Sequence, residues 1–223
     1  MWELLSSYSL IDFIPLETSV YLRLFERANQ RYWPLPIVTT LVAVVTILLA
    51  LNHRYKFCYL LLATAWCLSG FIFHLQLLQE LNWIGGYLGG AFLLQGLLIG
   101  ACGWLTSKSP NQSAVNGMII MLTALPVYGL LPLLTKTSWS AVEIFAIAPD
   151  PTCWFTLGVL LFTGHHRWWL LIIPCLWATF SSALAYILGL WGGLLLATLT
   201  IAVSGLLITA RFIQRKPSTT SNI

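Results

Sequence analysis

The sequence predicts an all-α fold. It is a polytopic transmembrane helix bundle with six clear spans, one broken or re-entrant helix, and an N-terminal amphipathic helix in the membrane interface. Three observations carry that prediction. Of 223 residues, 58% are hydrophobic and only 8% charged, whereas a soluble domain carries about 25% charged residues, so the chain cannot cover a water-facing surface. Apolar runs near the roughly 20 residues that a spanning helix needs follow one another with short polar joints. Eleven tryptophans suit the preference of indole for the membrane–water interface.

Three regions are expected: an N-terminal interfacial segment at 1–34, the transmembrane bundle at 35–210 and a polar tail at 211–223. Met1 to Ser7 contains Glu3 and no Lys or Arg, so the positive n-region of a secretory signal is missing and insertion falls to the first span. Ser9-Leu10-Ile11-Asp12 has the form of a capping box, a start signal for a short helix. Glu17 to Trp33 reads as an amphipathic helix. Tyr21, Leu24, Phe25, Ala28 and Tyr32 recur at three-to-four spacing, while Arg23, Glu26, Arg27 and Gln30 fall elsewhere. Such a helix lies along the interface rather than across it. Trp33-Pro34 closes it, and the spans follow at about 35–51, 57–78, 83–105, 115–134, 168–187 and 189–210. The last two are joined by a very tight turn near Gly189.

Residues 138–164 are the unusual region. SWSAVEIFAIA runs up to Pro149-Asp150-Pro151, and CWFTLGVLLFTG runs away from it. Each half, taken as helix, is about 18 Å long, too short to cross a core of about 30 Å. Together they make a broken span or a re-entrant hairpin. If the segment crosses, Arg54, Lys56, Lys108, Arg167, Arg211, Arg215 and Lys216 share one face with no acid. A re-entrant path regroups the sides, and the count of Lys and Arg does not decide between the two. The crossing version is preferred for its acid-free face, which puts the N-terminus outside and the C-terminus inside.

Asp150 has two readings. Asp favours the N-cap and Pro the first helical position, so Asp150-Pro151-Thr152 starts a helix at 151 and the carboxylate satisfies free backbone N–H groups. Equally, an ionisable residue inside a membrane is a functional hypothesis by default, and broken helices make ion and substrate sites at mid-depth in transporters. His74 and Gln95 in the second and third runs, Glu143 seven residues before Asp150, and Trp177, Ser181, Ser182 and Tyr186 in the run at 168–187 are the other polar residues available to one cavity. Each also has a plainer role. His74 can be solvated near a helix end, Gln95 can bond between helices, and the serines can serve as small packing residues.

The glycines Gly85, Gly86, Gly89, Gly90, Gly96 and Gly100 form lines four residues apart, a pattern for close helix contact or self-association and not for chemistry. The five cysteines form no CxxC pair and read as small hydrophobes. His165-His166-Arg167 reads as a basic interfacial turn rather than a metal site. No nucleophile elbow, phosphate loop, HExxH or haem motif occurs. Catalytic residues, a bound metal, a cofactor and a nucleic-acid partner are therefore not expected.

The pieces YLRLFERANQRYWP, ATAWCLSGFIFHLQ, GAFLLQG, VYGLLP, FAIAPDPTCWFTLG and LIIPCLW together resemble a bacterial family of multi-span membrane proteins catalogued only as a domain of unknown function. The likeness runs from about Asp12 to the last span, and its most specific element is Pro-x-Pro-Thr, here APDPT. The resemblance implies an architecture and no activity. In that family the residue between the prolines is often Cys; here it is Asp150. The resemblance thus implies a position that takes either thiol or carboxyl, both able to bind cations or carry a proton.

The expected function is a permease-like pathway for a small solute or cation in the bacterial inner (plasma) membrane. It centres on Asp150, with Pro149, Pro151 and Thr152 around it and His74, Gln95 and Glu143 as partners. The competing class is a non-transporting accessory or assembly protein, bound to a membrane partner or a second copy through the glycine-lined faces. A membrane enzyme ranks third. The lipid bilayer is the expected surrounding partner.

Overall fold

The computed structural model describes residues 17–104, 114–135, 138–164 and 168–214. The capping-box stretch at 9–12, the turn at 165–167 and the tail from 215 lie outside them. Among the described residues the regular structure is helical throughout, with no strand. Helix α1 (Thr18–Arg31) is amphipathic as expected, burying Tyr21, Leu24, Phe25 and Ala28. It turns by 89° into α2 (Leu35–Leu51). Helix α3 (Tyr55–Leu81) and α4 (Ile84–Trp104) form a hairpin. They are followed by α5 (Ala114–Thr135), α6 (Pro149–Phe162), α7 (Ile172–Ile187) and α8 (Trp191–Gln214). Gly189 takes φ +67° between α7 and α8, the left-handed conformation that glycine adopts without a Cβ penalty.

Six clear spans were expected. Among the described residues four helices are long and apolar enough to cross a membrane: Tyr55–Leu81, Ile84–Gly103, Trp169–Ile187 and Trp191–Thr209. The bent pair Thr18–Arg31 and Leu35–Leu51, taken as one span, makes five. Helix α2 alone has 17 residues, and within α5 the stretch Ala114–Leu130 is apolar but shorter than a span.

The expected broken helix also takes a different form. The limb before the prolines is not helical. It makes a short 3-10 turn at Trp139–Ala141, runs extended through Val142, and turns at 145–147 before α6 begins. Pro149 disfavours helical geometry in the residue before it, and Ala148 accordingly sits at φ −85°, ψ 143°. Non-helical backbone is tolerated at membrane depth only inside protein. Phe145, Ala146, Ile147 and Ala148 are each 1% exposed.

Contacts between the ends of these helices settle the path of residues 138–164. At one end of the bundle Ser140 bonds Glu26 of α1, Arg27 meets Glu80, and Thr18 bonds the Leu188 carbonyl. At the other end Tyr59, near the start of α3, bonds Thr163 just beyond α6 at 2.9 Å. The segment therefore runs from end to end and does not turn back. Trp33, Trp83, Trp139, Tyr186 and Trp191, all at the first end, are exposed, an arrangement suited to an interfacial aromatic belt. Large apolar side chains on the outward faces, including Leu41 and Leu48 of α2 and Leu195 and Leu206 of α8, are likewise exposed.

The glycines act mainly within the chain. A Cβ at Gly89 would meet Leu75, at Gly96 Cys67, and at Gly85 the Gln79 backbone, so these three bring α4 against α3. Gly117 and Gly158 face each other's backbone across α5 and α6. Gly90 has open space.

Candidate functional site

Helix α6 starts two residues earlier than the sequence suggests, at Pro149, with Ala148 as its N-cap and no side-chain cap. Both prolines lie in the first turn, where backbone N–H groups have no intrahelical partner to lose. Thr152 organises the approach. Its Oγ1 accepts the Ala146 N–H at 2.9 Å and donates to the Ala148 carbonyl at 2.7 Å. That bond holds Ala146 at φ +67°, a conformation uncommon outside glycine. The capping reading of Asp150 is thereby corrected: Thr152 ties down the turn, and the Asp150 side chain points elsewhere.

It points to α7. Trp177 donates its indole N–H to Asp150 Oδ1, and Ser181, one turn on, donates its hydroxyl to Oδ2 at 2.7 Å. Asp150 is 8% exposed, and no Lys, Arg or His pairs with it among the described residues. Two neutral donors and the N-terminal end of the α6 dipole favour the ionised form of this carboxyl, and burial opposes it. Trp177 and Ser181 are among the polar residues noted in the run at 168–187. Ser182 bonds its own helix at Ala178, and Tyr186 is exposed, so neither joins them.

His74 reaches Asp150 only through Trp177. It is fully buried rather than solvated near a helix end. It lies within Gly70–Leu78, where α3 widens to π-helical winding and the Gln79 N–H bonds the His74 carbonyl five residues back. The ring packs edge-on to Trp177 at 4.9 Å and against Phe92 at 4.2 Å. Its Nδ1 lies 3.3 Å from the Ser69 carbonyl, and Nε2 has no hydrogen-bond partner. His74 thus belongs to an aromatic layer that fixes the indole. Gln95 stands apart. Its Nε2 donates to the Leu170 carbonyl at 2.7 Å, tying α4 to the turn before α7.

Glu143 joins the site from the extended limb. Asn29 of α1 clamps that limb by donating to the Ser140 and Val142 carbonyls, both at 2.9 Å, and Ser140 donates to Glu26 at 2.9 Å. Glu143 and Asp150 are close enough to feel each other's charge, and Glu143 Oε2 is buried with no hydrogen-bond partner.

Two residues were missed by sequence reasoning. Tyr21 and Tyr128 both lie within electrostatic reach of Asp150 and Glu143. Tyr21 sat in the apolar stripe of α1, so its depth was legible but its neighbours were not. Tyr128 carried no signal. Its place follows from the antiparallel register of α5 and α6, in which Gly117 faces Phe162, Met121 faces Gly158, and Thr123 accepts from Trp154. Continued by one to two turns, that register sets Tyr128 level with Asp150. Tyr128 is 1% exposed, and its hydroxyl makes no hydrogen bond of normal geometry. Thr200 stands beside it, but donates its own proton to the Leu196 carbonyl. Among the described residues no three of His, Cys, Asp or Glu gather as a metal site.

The model of a family of unknown function, DUF6064, matches residues 18–218. No curated protein and no solved structure matches the chain.

Proposed function

We propose that this chain, which belongs to the DUF6064 family of unknown function, is a multi-pass protein of the bacterial inner membrane that forms a permease-like pathway for a small cation centred on Asp150. On this reading α2, α3, α4, α5, α7 and α8 are the six spans, and 138–164 crosses as a half-extended seventh. The end bearing Arg54 and Lys56 then faces the cytoplasm by the positive-inside rule.

One observation carries the reading. An Asp carboxyl is buried in the bundle with two neutral donors and, among the described residues, no cationic partner. A buried charge is normally paired, and inside a membrane an ionisable group of this kind marks an ion or proton path. A cation rather than a neutral solute is favoured because Glu143 adds a second acidic group within charge range.

The test uses purified protein in liposomes under imposed gradients of protons, Na⁺ and K⁺ in turn, each read with an internal dye. Wild type should pass one of the three above protein-free liposomes. Asp150→Asn, which keeps the shape and the acceptor for Trp177, should purify at normal yield and lose at least about tenfold of that flux, as loss of a charge-dependent interaction of about 1.4 kcal/mol or more requires. Equal flux in the variant, or no flux for any of the three cations, sinks the reading.

A second reading, the non-transporting accessory or assembly protein, is favoured by one feature. Both Asp150 oxygens already accept hydrogen bonds inside a nearly closed shell. It requires a stable membrane partner that co-purifies and is unaffected by Asp150→Asn.

A further inference from the structure

We propose that α1 is a lid. It lies across the end of the bundle that bears Glu80, closes the approach to Asp150 from that end, and opens the site by swinging on its joint with α2. The inference rests on the reading of Asp150 as the centre of a pathway and adds the element that controls entry to it.

Three elements surround Asp150 on its approach from this end. Helix α7 brings Trp177 and Ser181 to the carboxyl. The π-wound part of α3 packs Phe73 and His74 on the Trp177 ring. The buried limb 142–148 leads into α6. Helix α1 is fastened to the outer end of all three. Thr18 donates to the Leu188 carbonyl, just past α7, at 2.9 Å. Arg27 meets Glu80, near the end of α3, at 3.5 Å. Asn29 donates to the Ser140 and Val142 carbonyls of the limb, and Glu26 accepts from the Ser140 hydroxyl. A helix tied to the ends of three walls lies over the space between them.

The depth of Asp150 fits a single covering layer. Ser181 is seven residues before Leu188, about 10 Å along α7 at the α-helical rise, which is about one helix diameter. The inward face of α1 fills that layer with Tyr21, Leu24, Phe25 and Ala28, all buried. Direct contacts connect lid and site. Phe25 stacks on Phe73 at 5.1 Å, Phe73 meets Trp177 edge-on at 6.5 Å, and Trp177 donates to Asp150. Lifting α1 removes the first member of that line and uncovers the rest.

The ties suit a lid that opens. Beside a bilayer, an amphipathic helix that leaves its protein seat lays the same apolar face into the interface. Lipid tails are as apolar as the side chains left behind, so the apolar face adds little to closure and the polar ties decide it. One of them, Arg27 with Glu80, is half-exposed on both sides, where ion pairs are weak. The outer face of α1 exposes Arg23 and Arg31, which suits anionic headgroups. The joint is short: Tyr32, Trp33 and Pro34 separate α1 from α2, which meet at 89°. A few residues at the end of an element are enough to absorb a hinge motion.

The experiment reads access to position 150 with α1 tied and untied. The full chain, with its five native cysteines replaced and Asp150→Cys introduced, is placed in vesicles of one orientation with an impermeant thiol reagent. Arg27→Ala with Asn29→Ala should speed labelling from the Trp83 side at least about tenfold, by raising the open population. Labelling from the Arg54 side should not change, because a misfolded bundle would open to both. Equal rates in tied and untied protein, or a rise from both sides, overturn the proposal. A second arm needs no loss of contacts. With Asp150 intact and the native cysteines replaced, Thr18→Cys and Leu188→Cys are joined by a short reducible thiol cross-linker. Flux of protons, Na⁺ or K⁺ should fall at least about tenfold on joining and return on reduction. Flux that survives joining overturns the lid. Absence of flux even after reduction removes the pathway reading, and the labelling arm, which needs no flux, then decides the lid by itself.

Discussion

At the scale of single residues, the site rests on a few hydrogen bonds that are hard to replace. Ser181 gives one of the two donors to a buried carboxylate, and a hydrogen bond to a charged group contributes about 1.5–3 kcal/mol. Ser181→Ala should lower stability by about 2 kcal/mol, and Ser181→Thr, which keeps the hydroxyl, should recover part of it. Thermal unfolding in detergent at fixed pH measures both. Thr152 has a different task, since its hydroxyl satisfies Ala146 N–H and Ala148 C=O at once. Thr152→Val keeps the shape but leaves a buried N–H unpaired, at a cost of about 1–3 kcal/mol. Thr152→Ser should behave nearly as wild type in the same assay. The Asp150 and Thr152 effects should be separable, because only the first should alter flux when the folded fraction is held constant.

At the scale of elements, close packing decides which helices hold Asp150 in place. Helices α5 and α6 touch at Gly117 and Gly158, where an added Cβ at Gly158 would lie 2.8 Å from the Met121 nitrogen and 2.9 Å from the Gly117 oxygen. Those obstacles are backbone and cannot rotate away. Gly158→Ala should therefore cost about 1–3 kcal/mol as an overpacking change, with Tyr128 displaced from the level of Asp150. Gly90→Ala meets nothing within 4 Å and should hold stability or raise it by up to about 1 kcal/mol through helix propensity. Unfolding temperatures of the two variants, side by side, check the prediction. The contrast also explains why the glycine pattern was only half legible. Spacing of four reveals that a helix face is small, but it does not say whether the neighbour on that face belongs to the same chain. Here Gly85, Gly89 and Gly96 pack on α3.

At the scale of the whole molecule, the helix ends group into one rim with Glu26, Glu80 and the exposed tryptophans, and another with Arg54 and the end of α6. Charge counting on the sequence left the path of 138–164 undecided; the contacts of Ser140 and Thr163 place its two limbs at opposite ends of the bundle. A single cysteine in place of His53 and another in place of Trp83, in a background without the five native cysteines, should label from opposite sides of the membrane with an impermeant reagent. His53 should be reached from the cytoplasm. Labelling of both from one side would refute α3 as a single crossing, the helix against whose two ends residues 140 and 163 are placed.

What the sequence determined by itself follows from composition and period. Long apolar runs in a chain this poor in charge point to helices, because in lipid a single segment satisfies its own backbone polar groups only as a helix. The amphipathic stripe of α1 and the break at Pro149-Asp150-Pro151 were legible for the same local reasons. Only the tertiary structure decided that the limb before the prolines is extended, that Thr152 rather than Asp150 secures the turn, and that Tyr21 and Tyr128 stand with the two acids. The reason is physical. Periodicity reports which face of a helix is apolar, whereas the partner of a buried polar group is chosen by helices far away in the chain. Asp150 meets Ser181 across 31 residues, and Asn29 meets Val142 across 113; no local pattern encodes those distances.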